Sequence, residues 1–305
     1  MGDILGAASV EVVIPTRGNR PELLARAVAS AAAQEYPGDL GIAIVFDDAE
    51  PALPAVDAAV PIRMITNYRT PGLAGTRNSG IETSAADLVA FLDDDDRWLP
   101  GKLARQTERL VQSGQDFATT AMVVDFQGTE SARRAGCTEV THEQLTASRM
   151  AMLHSSTFLV RRAALLDAGM VDEAAPFGQN EDWDLLLRFS RKAPIVHVDE
   201  PLVAVQWGST SMFAQAWQAK IDGLNWILSR HEDVRGNDAG HARVLGQIAF
   251  AQAALRQRGP AFRTAARAAR TRWREPRAYL AMLAATGIVS AERILRTLHK
   301  RGHGI

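Results

Sequence analysis

The sequence predicts an α/β protein with a mostly parallel sheet flanked by helices, followed by a helical C-terminal extension. Apolar runs of strand length alternate with helical patterns through the first hundred residues, and several of these runs end in acidic residues. From about residue 214 the pattern becomes helical and rich in Ala and Arg. A regular alternation of strands and helices favours parallel strands covered by helices on both faces.

The individual strands are apolar runs bounded by turn-forming residues. The first, Val10–Ile14, is rich in β-branched residues and is closed by Pro15. Further strands are predicted at 41–46, 61–65, 87–92, 116–126, 155–160 and 193–198. Helices are predicted at 21–34, 76–83, 101–113, 162–168, 180–188 and from about 214 to the end. The stretch 127–150 is polar and poorly patterned, so we expect loops with one short helix there.

The composition is that of an ordinary globular protein, with 47% hydrophobic and 23% charged residues among 305. Cys137 is the single cysteine, so no intrachain disulfide can form. The first residues lack the basic and apolar regions of a signal peptide, and no stretch approaches the ~20 apolar residues that span a bilayer. These features predict a cytoplasmic protein, with peripheral contact to the inner face of the membrane left open.

Charge is unevenly distributed along the chain. The net charge of −1 gives no case for a nucleic-acid partner. From Arg256 to the end there are 12 basic and 2 acidic residues, which leaves 22 basic and 33 acidic residues in the first 255. Arg263, Arg267, Arg270 and Arg274 recur at helical spacing as a basic stripe. Such a stripe can lie on an anionic membrane surface or pack against protein; we favour packing or oligomerisation.

Four consecutive carboxylates, Asp93 to Asp96, follow the predicted strand 87–92. They would lie at the carboxyl end of that strand, where open α/β sheets bind ligands. Adjacent acids repel one another unless a counter-charge is present. A Mg²⁺ ion held by one or two carboxylates and by substrate phosphates would supply that charge. The alternative is a solvated acidic turn that caps the next helix.

Four local patterns follow one another along the chain. The first is Val12–Asn19, the second is Phe46–Asp48, the third combines Gly75–Ile81 with Phe91–Asp96, and the fourth is Phe177–Leu185. In this order they resemble glycosyltransferase family 2, whose members are inverting nucleotide-sugar enzymes with the GT-A fold. The third is similar to the family's Arg-Asn-x-Gly helix and DxD-type motif, and the fourth to its Glu-Asp motif before a helix. The Gly-Ser-Thr that usually follows the second pattern is absent.

The resemblance covers roughly residues 9–212 and implies a GT-A fold in two halves. Residues 1–100 would form the half that binds the nucleotide sugar, and residues 101–212 the half that binds the acceptor. Residues 213–305 would form a basic helical extension.

On the nucleotide side, the resemblance implies that Asp48 accepts a hydrogen bond from the base, with Thr16 and the Pro15 carbonyl beside it. Arg17 and Arg77 would reach phosphate or ribose oxygens, since the guanidinium fork pairs bidentately with oxyanions. Either arginine could instead be a structural ion-pair partner.

The DxD-type motif implies the metal site. Asp95 would hold a divalent cation, Mn²⁺ or Mg²⁺, and Asp93 would contact the metal or the ribose. Asp94 would lie with them on the donor side.

The segment Val205–Ser211 resembles the family's mobile loop that closes over the diphosphate. Gln206 and Trp207 stand where many members carry a basic residue or His. We therefore expect closure through the hydroxyls of Ser209 and Ser211.

On the acceptor side, the resemblance implies that Asp182 is the general base. Inverting transfer needs a carboxylate that removes the proton of the acceptor hydroxyl as it attacks. Glu181 and His154 would lie near the acceptor, and Trp183 would either stack on a sugar or belong to the core. The alternative for the acids is plain capping of a helix N-terminus.

We therefore predict a metal-dependent inverting glycosyltransferase. It would move a sugar from a nucleoside-diphosphate sugar, of UDP or dTDP type, to an acceptor hydroxyl of unknown class. A non-catalytic sugar-nucleotide-binding or scaffold subunit stays open because of the altered closing loop and the missing Gly-Ser-Thr. A nucleotidyltransferase is disfavoured, since the loop 16–20 contains no catalytic Lys.

Overall fold

The computed structural model describes residues 8–126, 129–207 and 217–300. Its strands are β1 Val10–Thr16, β2 Leu40–Phe46, β3 Ile62–Thr66, β4 Leu88–Phe91, β5 Arg97–Trp98, β6 Phe117–Phe126, β7 Thr129–Arg133, β8 Glu139–Val140, β9 Leu159–Arg161 and β10 Ile195–Trp207. Its helices are α1 Pro21–Ala32, α2 Leu73–Thr83, α3 Lys102–Ser113, α4 His142–Ala147, α5 Arg162–Asp167, α6 Glu181–Ser190, α7 Trp217–Arg230, α8 Glu232–Gly236, α9 Asp238–Ala254, α10 Arg258–Thr271, α11 Pro276–Thr286 and α12 Ala291–Lys300.

The strands form a ten-stranded sheet with the order β3-β2-β1-β4-β9-β6-β10-β5, to which β7 and β8 add at β6 and β10. The first four strands of this order are parallel, and Thr16 at the end of β1 lies in register with Phe46 at the end of β2. The carboxyl ends of these strands therefore meet at one edge of the sheet, as the sequence predicts. Beyond β4 the sheet is mixed, because β9 is antiparallel to both of its neighbours and β10 is parallel to β6.

Three predicted elements differ from the structure. The stretch 127–150 contains β7 and β8 beside the expected helix; β7 is mostly exposed and so has no alternating apolar pattern. A 3₁₀ turn at Ser155–Thr157 precedes β9, where one strand was expected. Strand β10 runs to Trp207 instead of ending at residue 198, with register shifts around Pro201. A strand can contain a Pro at such an irregularity, but in the sequence alone this Pro indicates a turn.

The chain divides into two compact units. Unit 1 comprises Met1–His142, Met150–Ala174 and Glu181–Ser209, and unit 2 comprises Glu143–Arg149, Ala175–Asn180 and Thr210–Ile305. The core of unit 1 is built from the inward faces of the strands, with Val12, Ile14 and Ile44 fully buried. The core of unit 2 is rich in alanines, which let its helices approach closely.

The basic stripe lies on an exposed face of α10. Three alanines of this helix, Ala261, Ala265 and Ala268, are fully buried, whereas Arg263, Arg267 and Arg270 are exposed. Within the residues that the structure describes, these arginines therefore do not pack against the rest of the chain, which corrects one of the two interpretations favoured above. Among the described residues, no helix is long and apolar enough to span a membrane.

Candidate functional site

The four aspartates that follow β4 have different partners. Asp94 is buried and accepts a hydrogen bond from the Thr16 hydroxyl at 2.7 Å, and it forms an ion pair with Arg20. Asp95 is partly exposed, and its carboxylate lies 2.5 Å from the other Arg20 amino group. Arg20 thus supplies the counter-charge for these two acids, directly after the loop that ends β1.

Asp93 belongs to a second ion-pair network, centred on Arg77. The Arg77 side chain is 1% exposed, and its Nη2 donates to Asp93 Oδ1 at 2.7 Å and to Ser155 Oγ at 2.8 Å. Its Nη1 donates to Glu181 Oε1 at 2.9 Å. One buried guanidinium therefore connects the acids after β4 with the acidic start of α6.

Helix α2 places Arg77 by lying close to the sheet at Gly80 and close to the preceding loop at Gly75. A Cβ on Gly80 would lie 2.5 Å from Val13 Cγ1, and a Cβ on Gly75 would lie 1.9 Å from the Thr70 carbonyl oxygen. Neither position has room for a side chain, so glycine permits the approach. As a result every residue from 74 to 81 is buried, including the polar ones.

Asp96 lies in a third group of contacts, with the turn at residues 154–157. Its Oδ2 accepts a hydrogen bond from Ser156 Oγ at 2.6 Å and lies 3.4 Å from His154 Nδ1, while its Oδ1 accepts from the backbone of Gln206 at 3.1 Å. Asp93, Asp96 and His154 each offer one metal-ligating atom, and these three atoms lie within 4.8 Å of one another. Two carboxylates and an imidazole at this spacing fit a divalent cation such as Mn²⁺.

The pKa values of these acids reflect burial and neighbouring charge. Burial raises the pKa of Asp94 to about 6, although the Thr16 hydroxyl and Arg20 oppose the shift. Burial likewise raises the pKa of Asp96 to about 7, against the attraction of His154. Burial would also raise the pKa of Asp93, but Arg77, His154 and Ser155 together outweigh it, and the net pKa lies below the usual value. A cation among these carboxylates would favour their ionised forms.

The Glu-Asp pair begins helix α6. Glu181 and Asp182 are both buried, 5% and 6% exposed, and Asp182 Oδ1 accepts a hydrogen bond from the Trp183 backbone at 2.7 Å. Trp183 is 1% exposed, so it offers no ring face to a sugar in this conformation. Of the two interpretations of Trp183, burial favours the core residue.

The structure brings together some of the predicted nucleotide-side residues and not others. Pro15 is buried within β1, whereas Arg17 and Asp48 are exposed beyond the strand ends. Asp48 has a φ of 53° in the left-handed region, which Asp tolerates better than most residues. Its neighbour Asp47 is buried and accepts hydrogen bonds from the Asn67 side chain and the Gly72 backbone. Ser209 and Ser211 lie outside the described residues.

Sequence reasoning assigned no role to Arg20 and left Arg77 open between ligand oxygens and a structural ion pair. In the structure both arginines neutralise aspartates of the same cluster. The charge argument for Asp93 to Asp96 could have found Arg20, because four adjacent acids need a cation nearby and the loop after β1 ends at the same sheet edge. The resemblance placed the metal on Asp95 and Asp93. Here the Asp95 carboxylate pairs with Arg20, while Asp93 forms a compact donor set with Asp96 and His154.

The fold is shared with solved sugar-nucleotide complexes. A crystal structure of TarS residues 1–349 from S. aureus in complex with UDP-GlcNAc has a TM-score of 0.58 and 16% identity, and covers 97% of this chain and 92% of that one. The mannosyltransferase PcManGT from Pyrobaculum calidifontis, in complex with GDP-Man and Mn²⁺, has a TM-score of 0.60 and 16% identity over 95% of this chain and 84% of its own. At such identities the likeness shows the fold, here GT-A.

Curated relatives match the chain in part. The succinoglycan biosynthesis protein ExoO of Rhizobium meliloti (strain 1021) is 35% identical over 114 residues, 36% of this chain and 32% of that protein. ExoW of the same organism is 36% identical over 118 residues, 36% of each protein. The match thus spans about a third of the length of these relatives.

The family model described as glycosyl transferase family 2 matches residues 11–168, more than half of the chain. This span contains β1 with its following loop, helix α2, the four aspartates and the turn with His154. The chain therefore belongs to glycosyl transferase family 2.

Proposed function

We propose that this protein is a metal-dependent inverting glycosyltransferase that uses a nucleoside-diphosphate sugar and an acceptor hydroxyl. Family membership and the fold shared with complexes of UDP-GlcNAc and GDP-Man support a nucleotide-sugar donor. A relative from Escherichia coli, 34% identical over 56 residues, is named a UDP-Glc:alpha-D-GlcNAc-diphosphoundecaprenol beta-1,3-glucosyltransferase. That name is consistent with glycosyl transfer from a nucleotide donor.

The observation that carries the proposal is the bridge made by Arg77. Its guanidinium contacts both Asp93 at the end of the sheet and Glu181, the residue before Asp182. This contact supports a single site that contains the donor-side acids and the candidate base. Each of these residues lies within unit 1.

Asp182 acts as the general base in this proposal. Its carboxylate takes the proton of the acceptor hydroxyl while that oxygen attacks the anomeric carbon from the face opposite the diphosphate. The start of a helix holds the carboxylate rigidly, and the backbone hydrogen bond to Oδ1 fixes its rotamer. Arg77 holds the adjacent Glu181 in place through its hydrogen bond.

The residues that would hold the metal are Asp93, Asp96 and His154, in place of Asp95. Their donor atoms are close enough to share one ion, and two of the three are carboxylates, which Mn²⁺ and Mg²⁺ both accept. When bound, the divalent cation offsets the charge of the diphosphate and stabilises the leaving group. Arg20 holds Asp94 and Asp95 as a separate pair.

The test of the base is Asp182→Asn in an assay of nucleoside-diphosphate release. A panel of UDP-, GDP- and dTDP-sugars with Mn²⁺ or Mg²⁺ identifies the donor. Water serves as the acceptor, so the assay measures hydrolysis of the nucleotide sugar. We expect the variant to lose about 10²-fold or more of the turnover, the usual contribution of a general base, while a thermal-shift titration shows unchanged donor binding. Asp116→Asn is the matched control, since Asp116 is a half-exposed residue paired with Arg161.

Two results would contradict these assignments. Unchanged turnover of Asp182→Asn would remove this residue as the base. Tight donor binding by the wild-type protein without turnover of any nucleotide sugar would favour the non-catalytic subunit instead.

The metal set is tested separately by His154→Ala and Asp95→Asn. We expect His154→Ala to raise the Mn²⁺ concentration for half-maximal activity by about tenfold or more, and Asp95→Asn to raise it less. The reverse order would return the metal to Asp95.

A further inference from the structure

Unit 2 carries a cationic surface that the proposed chemistry does not use. The segment from Arg256 to Arg274 contains seven arginines and no acidic residue. All seven side chains are exposed. The next acid, Glu275, is 3% exposed and already pairs with Arg277, so it does not neutralise them. We call Arg256–Arg274 together with α11 the arginine surface.

The seven arginines have no ion-pair partner within the part of the chain that the structure describes. This sets them apart from several other exposed cations of the protein. Arg105, Lys192 and Arg235, for example, each lie within 3.0 Å of a carboxylate. An unneutralised charge of this size, on a chain with a net charge of −1, selects an anionic partner.

Exposed apolar side chains accompany the charges. Trp273 is 67% exposed, Tyr279 is 50% exposed and Leu283 is 42% exposed, and Ile288 follows at 79%. The Tyr279 hydroxyl donates to the Trp273 carbonyl oxygen at 2.6 Å, which holds these aromatic residues side by side. The Arg274 guanidinium lies 4.5 Å from the centre of the Trp273 ring.

The two kinds of side chain together match the boundary of a lipid bilayer. Arginines bind anionic headgroups, while Trp and Tyr place an apolar ring in the acyl boundary and a polar atom in the headgroup layer. A nucleic acid or an acidic protein would use the charges but would leave Leu283 and Ile288 in water. Exposed apolar residues in a strongly basic segment therefore favour a membrane over other polyanions.

We propose that the arginine surface docks this protein peripherally on an anionic lipid bilayer. The proposal does not depend on the glycosyltransferase activity. It is made from the charge of the segment, the exposure of its arginines and the aromatic pair at its turn.

Cosedimentation of the full chain with vesicles tests the proposal. We expect binding to phosphatidylcholine vesicles that contain phosphatidylglycerol, weak binding to phosphatidylcholine alone, and loss of binding at high salt, where charges are screened. Arg263→Gln, Arg267→Gln and Arg270→Gln combined should weaken the partition about a hundredfold, because each arginine near an anionic surface contributes about 1 kcal/mol.

The matched control combines Arg105→Gln, Lys192→Gln and Arg235→Gln, which changes the net charge equally at exposed sites elsewhere. Its vesicle binding should stay within a few-fold of wild type. Tryptophan emission should shift to the blue on vesicle binding, and Trp273→Phe should remove most of that shift.

Several outcomes would overturn the proposal. They are equal binding to neutral and anionic vesicles, no binding to either, and equal weakening by the two triple variants. Sedimentation velocity tests for self-association. If the wild type does not bind vesicles and is a dimer, and the variant at Arg263, Arg267 and Arg270 is a monomer, the arginine surface is a self-association interface instead.

Discussion

Replacing Arg77 by Met should destabilise the protein far more than replacing an exposed arginine. The change removes a buried cation and three hydrogen bonds to Asp93, Glu181 and Ser155. Methionine keeps much of the length and the apolar volume, so a cavity contributes little. What remains is two carboxylates whose compensating charge is gone.

The magnitude follows from how exposed each carboxylate is. The Glu181 side chain is 6% exposed, whereas that of Asp93 is 20% exposed and can recover some solvation. Breaking a buried ion pair by removing one partner costs about 3–5 kcal/mol, because the other charge stays buried. We therefore expect the free energy of unfolding to fall by about 3–5 kcal/mol at pH 7, mostly through Glu181.

The pH dependence has a definite sign. The pKa of Asp93 is depressed in the folded state, so its contribution is present above the unfolded pKa and is lost as the pH falls through the folded one. The variant lacks this contribution at every pH. The difference between wild type and variant should therefore shrink as the pH falls below about 4, toward the lower pKa of Asp93 in the folded wild type.

Urea denaturation of four proteins provides the test: wild type, Arg77→Met, Glu181→Gln and the double variant. A coupling energy of at least about 1 kcal/mol is expected for residues in direct contact. Arg105→Met is the control, and its exposed pair with Glu200 should contribute less than about 1 kcal/mol. Additive effects, or a loss for Arg77→Met no larger than that of the control, would refute the reasoning.

Three further predictions concern stability and can be measured by denaturation. Lys102 is fully buried over the Trp98 ring, and burial lowers its pKa well below the usual value. Lys102→Met should therefore raise the free energy of unfolding by about 1–3 kcal/mol at pH 7, and this free energy should increase less steeply toward pH 10 than in the wild type. A destabilised variant would contradict this prediction. Hydrogen bonds from Thr70, Asn78 and Arg69 outweigh burial and lower the pKa of Glu173 to about 2. Glu173→Gln should therefore lower the free energy of unfolding by about 1–2 kcal/mol above pH 4.5 and by progressively less below it. A difference that does not change with pH would argue against the ion pair of Glu173 with Arg69. Gly80→Ala would place a Cβ 2.5 Å from a Val13 methyl group and should lower the free energy of unfolding by about 1–3 kcal/mol. As a control, Gly236→Ala meets open space and should change this free energy by no more than about 0.5 kcal/mol. Equal effects would show that α2 can move away from β1.

Strands β1, β2 and β4 of the parallel half could be predicted from sequence because they are largely buried on both faces. Their sequences are almost entirely apolar, a local signal that needs no knowledge of partners. The sequence predicts too early an end for β10, because Asp199, Glu200 and Pro201 have the composition of a turn. Its continuation depends on pairing with β6, which local composition does not reveal.

The position of the acids was predictable, but their partners were not. That Asp93 to Asp96 lie at a ligand-binding edge follows from the strand before them. That Arg77 is buried between Asp93 and Glu181 depends on a contact between residues 104 positions apart and on the close approach of α2. The grouping of Asp96 and His154 with Asp93 as candidate metal ligands was not predictable for the same reason, since it is made by the turn at 154–157.

The distribution of positive charge around the four aspartates limits how the site could be moved to another scaffold. Their neutralising groups come from a loop after one strand and from the middle of a helix, and a serine from a distant turn donates to Asp96. A short acidic loop transplanted alone would leave both arginines behind and arrive as four mutually repelling anions. A designer who wants this chemistry elsewhere must transfer the loop after β1, helix α2 and the serine turn as one assembly.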